Sequence, residues 1–231
     1  MGRAEKTTNE SSGMWTRVGL RAVDSRTRLG FVVGLVLMLG SLATILVAWL
    51  LSPSYDPLTQ TISELGTQKT AGSIVFMAGM TLNGFLMVAY AYLFVQKLGE
   101  TSLIYHATWM TGVAGLALVG LALLPTEGPT ELPHFLFALA YFFLFALGVA
   151  VLSRYYHTRT TSHRWLVSGG YSATAITVFF LFAFPTPFGP VVQKITVMGF
   201  MAWHLSLLAV WWKEKRGQDV GETVHKSPVR T

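Results

Sequence analysis

The sequence predicts an all-α membrane protein: a bundle of six transmembrane helices with a short interfacial helix in the first outer loop. Three observations carry this prediction. Of 231 residues, 52% are hydrophobic and only 12% charged, against about a quarter charged in soluble domains. Six apolar runs, at 29–51, 73–96, 103–124, 133–152, 165–184 and 190–212, reach the roughly 20 residues that a helix needs to cross the hydrocarbon layer. Fifteen of the 17 Lys and Arg fall on one side of those runs.

Residues 1–28 are polar and basic and are expected to form a cytoplasmic N-terminal segment, mobile at its start and meeting lipid near Trp15 and Val18. The first apolar run is longer than the roughly 7–15 residues of a signal-peptide core and ends in AWLLSPS, so it is expected to remain as a helix. Residues 29–212 then form the transmembrane domain, and 213–231 a cytoplasmic tail.

Orientation follows from the basic residues. Only Lys69 and Lys194 lie on the side opposite the termini. By the positive-inside rule both termini face the cytoplasm, and the loops 52–72, 125–132 and 185–189 face outward from a plasma (inner) membrane. The basic balance is thereby accounted for by topology and by attraction to anionic lipid headgroups. Membrane lipids are the expected partners; no nucleic acid is needed to explain the charge. With no cysteine in the chain, thiolate chemistry and disulfides are excluded.

The first outer loop contains SPSYDPLTQTISELG at 52–66. Asp56 before Pro57 reads as an N-cap with proline at the first helical position, and Gly66 as a left-handed helix stop. The predicted helix spans 57–65, with Leu58, Ile62 and Leu65 on its apolar face and Gln60 and Glu64 on another.

YDPLTQTISELG, the MTLNGF of the second helix, LLPTEGP after the third and PHFLFALAYFF opening the fourth together resemble an uncharacterised six-helix prokaryotic membrane family, domain of unknown function 998. The resemblance covers roughly 29–212, and ISELG is its most specific element, followed by His134. It implies a six-helix bundle and brings no activity or catalytic residues with it.

Small residues at one-turn spacing predict close helix packing at Gly30 and Gly34, Gly79 and Asn83, Gly112 and Gly115, and Gly169 and Ala173. Most tryptophans fall near the run ends, where interfacial anchors belong. The exits LLSPSYDP, LLPTEGP and AFPTPFGP are similar enough to suggest a repeated hairpin, although proline also ends helices at interfaces without any repeat.

Chemistry in such a chain comes from polar residues that a bilayer would ordinarily exclude. The candidate ligand-binding set is Asp56, Ser63, Glu64, Asn83, Glu127, His134 and Lys194, converging on an outward-facing polar pocket. Glu131 and Gln193 lie on the same side, and Lys194, about one turn into the sixth helix, can snorkel outward or face the bundle and pair with a carboxylate such as Glu64. Glu64, Glu127 and His134 are the only outer residues that could supply a zinc site, and His106 and His204 differ too much in depth to share a haem; no metal or cofactor is expected. Phosphate loops, nucleophile elbows and metalloprotease helices are absent from the sequence. The leading reading is an outward pocket for an amphipathic or lipid-type ligand. An enzyme acting on a lipid or lipid-linked substrate is the alternative, through acid–base work by a Glu/His pair. A small-solute transporter comes third, because the helix interiors hold few ionisable groups.

Overall fold

Six long helices succeed one another in the computed structural model, which describes residues 10–67, 69–98, 101–124, 126–159 and 163–225, and side chains over 28–67, 69–93, 101–124, 126–158 and 163–213. They are α1 (Glu10–Leu50), α2 (Ala71–Leu98), α3 (Ser102–Leu123), α4 (Glu131–Arg159), α5 (Arg164–Ala183) and α6 (Gly189–His225). Two 3-10 turns, η1 (Ile62–Gly66) and η2 (Gly128–Thr130), lie in the loops before α2 and α4. No strand occurs among the described residues. Each of the six helices carries a stretch long and apolar enough to cross a bilayer, and the chain is a multi-pass integral membrane protein.

The helix ends run past the apolar runs, α1 starting at Glu10 and α6 continuing to His225. Hydropathy marks where lipid begins, whereas Glu, Lys, Arg and Gln are good helix formers in water and let a helix continue beyond it. The expectations for residues 1–9 and for the last residues of the tail, 226–231, lie outside the described residues, as do the side chains of Trp15 and Val18.

Each helix packs against its successor, and α1 also meets α6, closing the sequence into a ring. A Cβ on Gly30 would lie 3.2 Å from Trp211, and one on Gly34 3.0 Å from Leu208. The two terminal helices are therefore neighbours, and the start of α1 and the end of α6 lie at one end of the ring, called here the terminal end. At α2–α3 the backbones approach so closely that a Cβ on Gly84 would stand 2.7 Å from the Gly115 carbonyl, and one on Gly115 2.8 Å from the Gly84 carbonyl. Gly79 abuts the Thr44 side chain. These small residues are thus used to pack the helices of one chain, in the way close backbone approach in lipid requires. In α5 the tight position is Gly170, where a Cβ would meet Ser153 Oγ and the Trp203 indole, while Gly169 has ordinary contacts.

The ring is not filled evenly. Toward the terminal end its axis is occupied by a buried cluster that includes Tyr90, Phe145, Phe200, Trp203 and Leu207. The His204 ring is stacked on Phe145 at 5.0 Å there, with Trp203 edge-on at 4.9 Å. At the other end a smaller cluster of Ile45, Ala48, Tyr55, Ile62, Leu65, Phe76, Met80 and Ala122 pulls the first loop down against α1–α3. Beside it the ring is hollow.

Candidate functional site

The hollow is a cavity of about 1030 Å³ reached by side chains of all six helices, η1 and the η2 region. Its mouth is polar, with Thr61, Ser63, Glu64, Thr126, Glu131, His134 and Gln193. Below the mouth the walls are almost entirely apolar, among them Ile45, Met80, Leu118, Phe142, Phe180 and Val197. The lining reaches Ser41 on α1 and Met201 on α6, roughly 15 Å below the helix ends at 1.5 Å per residue. One turn further along α4 and α6, Phe145 and His204 belong to the filled half.

The loop that roofs one side differs from the predicted 57–65 helix. Its helical part is only η1, Ile62–Gly66, and it starts after Thr61. The Glu64 carboxylate turns back to accept hydrogen bonds from the Thr61 N–H and, at 2.7 Å, from the Thr61 hydroxyl, the return arm of a capping box. Asp56 instead closes a turn, accepting from the Leu58 N–H at 2.9 Å and the Thr59 hydroxyl at 2.7 Å. An aspartate before proline serves either structure, since both need an acceptor for the amides that follow. Gly66 is the last residue of η1, and the left-handed backbone falls on Lys69, at φ 51°. Of the predicted apolar face, Ile62 and Leu65 are buried, but Leu58 is 70% exposed.

Two adjacent residues of α6 hold this loop. Gln193 Oε1 accepts the buried Ile62 N–H at 2.7 Å. Lys194 Nζ donates to the Gln60 carbonyl at 2.6 Å and to the Pro190 carbonyl at 3.1 Å, and lies 5.7 Å from the centre of the Tyr55 ring. The lysine is thus satisfied by backbone oxygens, and the carboxylate pairing considered for it with Glu64 is not the one adopted. Tyr55 is itself buried, and burial, reinforced by the nearby Glu64 and Asp56 carboxylates, pushes its phenol up to about 12. The Leu58 N–H and then the Thr59 hydroxyl hold Asp56 below its ordinary carboxylate value.

His134 sits in the first turns of α4, buried, with Nδ1 2.6 Å from the Leu124 carbonyl. A carbonyl only accepts, so Nδ1 carries the proton and Nε2 is the ring nitrogen left for a cavity ligand.

Of the predicted site residues, Ser63, Glu64 and His134 line the cavity. Asp56 and Lys194 shape its roofing loop without lining it. Glu127 is exposed and lies 3.9 Å from the exposed Lys69. Asn83 is buried beside Gly40, with its Nδ2 unpartnered, and does not line the cavity. Among the described residues no three His, Asp or Glu gather closely enough to hold a metal ion. Gln193 was visible in the sequence only as a polar residue near a helix start; its role depends on a backbone N–H more than a hundred positions away.

A family model described as "Protein of unknown function (DUF998)" matches residues 32–211, a span that contains the roofing loop and the whole cavity lining. No curated protein and no solved structure matches the chain.

Proposed function

The chain belongs to the DUF998 family of proteins of unknown function, and from its own geometry we propose that it binds an amphipathic, lipid-type molecule, head at the polar mouth and chain in the apolar shaft. The observation that carries this reading is the shape and chemistry of one cavity: a few polar groups above about 1030 Å³ of largely apolar wall, at the upper end of the range typical of small-molecule sites. For a molecule already in a bilayer, moving its chain from lipid into the shaft gains little, because lipid tails are as apolar as the walls. Selection then rests on the head.

The mouth offers acceptors, the Glu64 and Glu131 carboxylates and His134 Nε2, with hydroxyls from Thr61, Ser63 and Thr126, and among the described residues neither Lys nor Arg lines it. This balance favours a hydroxyl- or amine-bearing head over a terminal phosphate. Glu64 and His134 facing one cavity favour a second reading, an enzyme performing acid–base chemistry on such a lipid. The filled half of the ring speaks against a transported solute, since beyond the shaft the axis is occupied by Phe145, Phe200, Trp203 and Leu207.

Native mass spectrometry of protein released from native-lipid nanodiscs tests the proposal. Wild type should carry bound lipid, and Ala138→Trp, which fills the shaft, should carry at least tenfold less while retaining its helical circular dichroism. Absence of lipid from wild type, or equal retention by the filled variant, would refute it. Turnover of that lipid by wild type, abolished in His134→Ala, would move the assignment to the second reading.

A further inference from the structure

We propose that the lipid enters and leaves the cavity sideways, through the seam between α4 and α5 at the cavity end, so that the ligand is a chain-bearing lipid of that leaflet. This rests on the lipid-binding reading above and adds the route and the source.

The wall at this seam is one side chain thick. Phe135 and Leu139 of α4 and Phe184 at the end of α5 all line the cavity, yet they are 43%, 39% and 38% exposed on the outside. The same side chains touch both the shaft and the lipid-facing surface. That surface continues outward through exposed Leu136, Phe143, Phe179 and Phe182, so acyl chains are what it meets.

The other seams around the cavity are held by close backbone approach, by hydrogen bonds or by a short connection. At α1–α2 a Cβ on Gly72 would lie 2.4 Å from the Ala48 carbonyl. At α2–α3 Gly84 and Gly115 bring the two backbones together, and at α3–α4 the His134 ring donates to the Leu124 carbonyl while Gly120 lies against the Phe137 ring. The α5–α6 connection is short, with a Cβ on Gly189 placed 2.5 Å from the Phe184 carbonyl. Between α6 and α1 lies η1, tied to α6 by the Gln193–Ile62 hydrogen bond.

At α4–α5 a hydrogen bond crosses between the helices toward the terminal end, Thr174 Oγ1 to the Ala146 carbonyl at 3.2 Å. At the cavity end the seam is closed by rings: Phe135 on Phe184 at 5.7 Å, with Phe142 on Phe180 at 4.8 Å beneath. Rotating Phe135 and Phe184 opens this closure without breaking a hydrogen bond, and rotamer changes of exposed side chains are fast. Amphiphiles in the leaflet therefore have a path into the shaft that never carries their chains through water.

Because the chain has no cysteine, Phe135→Cys/Phe184→Cys introduces a single pair that a short bismaleimide can bridge. Delipidated protein is reconstituted into nanodiscs of tail-deuterated phosphatidylethanolamine, released, and its bound deuterated lipid counted by native mass spectrometry. Bridging before reconstitution should reduce loading at least tenfold, and bridging afterwards should leave the loaded lipid in place. Equal loading whether or not the seam is bridged first would overturn the lateral route while leaving the lipid site standing. Wild type that takes up no lipid would overturn both. If the bridge does not form, exchange rates decide: Phe135→Ala/Phe184→Ala should exchange deuterated for unlabelled lipid several-fold faster than wild type, and an unchanged rate would overturn the route.

Discussion

Lys194 and Gln60 meet although 134 positions separate them, the lysine Nζ donating to the glutamine's backbone carbonyl at 2.6 Å. The neighbouring Gln193 accepts the N–H of Ile62 two residues further along. One helix start thus grips a loop by a carbonyl and an amide, and the grip sets where the Thr61–Glu64 edge of the cavity lies.

Of the two contacts, the Gln193 bond should matter more to stability. Gln193→Leu leaves a buried amide without its acceptor, a loss of about 1–3 kcal/mol. Lys194→Met frees a carbonyl that also accepts the Tyr55 hydroxyl at 3.3 Å, and should cost less. Thermal shift in detergent and hydrogen exchange over 60–65 check this order; equal effects, or no faster exchange at Ile62 in Gln193→Leu, would contradict it.

Acid should loosen the front of the same loop before it disturbs the bundle. Asp56 titrates below its ordinary value because its ionised form accepts the Leu58 N–H and the Thr59 hydroxyl. A carboxylate whose folded value is lowered contributes stability that is present above its unfolded value and lost as pH falls through its folded one. Intrinsic-rate-corrected hydrogen exchange at Leu58 should therefore accelerate on acidification below the ordinary value of 3.8. In Asp56→Ala the exchange should be fast at neutral pH and show no such step.

Gly170 marks the closest approach of α5 to the packed half of the ring. A Cβ there would stand 1.9 Å from Ser153 Oγ and 2.7 Å from Trp203 Nε1, and the indole is held by its bond to the Leu166 carbonyl at 2.9 Å. Gly170→Ala should destabilise by about 1–3 kcal/mol through overpacking. Ser153→Ala should recover part of this loss, and Gly169→Ala, with its nearest contact at 3.5 Å, should be close to neutral. Melting temperatures of the four proteins decide.

Orientation is testable because engineered cysteines would be the only thiols in the chain. Ser54, Thr186 and Thr158 are exposed and Thr126 partly so. Single cysteines at 54, 126 and 186 should react with a membrane-impermeant maleimide in intact cells, and one at 158 should react only after lysis. The reverse pattern would place the cavity on the cytoplasmic side.

Much of the fold was legible because its signals are local. Six apolar runs define six spans, and small residues such as Gly34, Gly79 and Gly115 announce close packing without naming the partner. The site was legible in composition more than in arrangement. Ser63, Glu64 and His134 were recognisable as polar residues at helix ends, and they do share a cavity. Asp56 misled about the helix because one acceptor before proline can cap a helix or close a turn. Lys194 misled about its partner because a sequence displays charged side chains plainly, whereas the carbonyl of residue 60 looks like every other carbonyl. Gly170 and not Gly169 carries the tight contact, a one-residue rotation that depends on where Trp203 falls on a different helix.

A ring solid at one end and hollow at the other should respond unevenly to compression. Packed interiors yield little to pressure, but the volume change of unfolding grows with the internal space it eliminates. Moderate hydrostatic pressure should therefore act first on the hollow half, loosening the roofing loop and the cavity-end turns of α4 and α5 while Phe145, Trp203 and Leu207 stay packed. A molecule seated in the shaft would remove that softness, making barostability a measure of occupancy that needs no knowledge of what the occupant is.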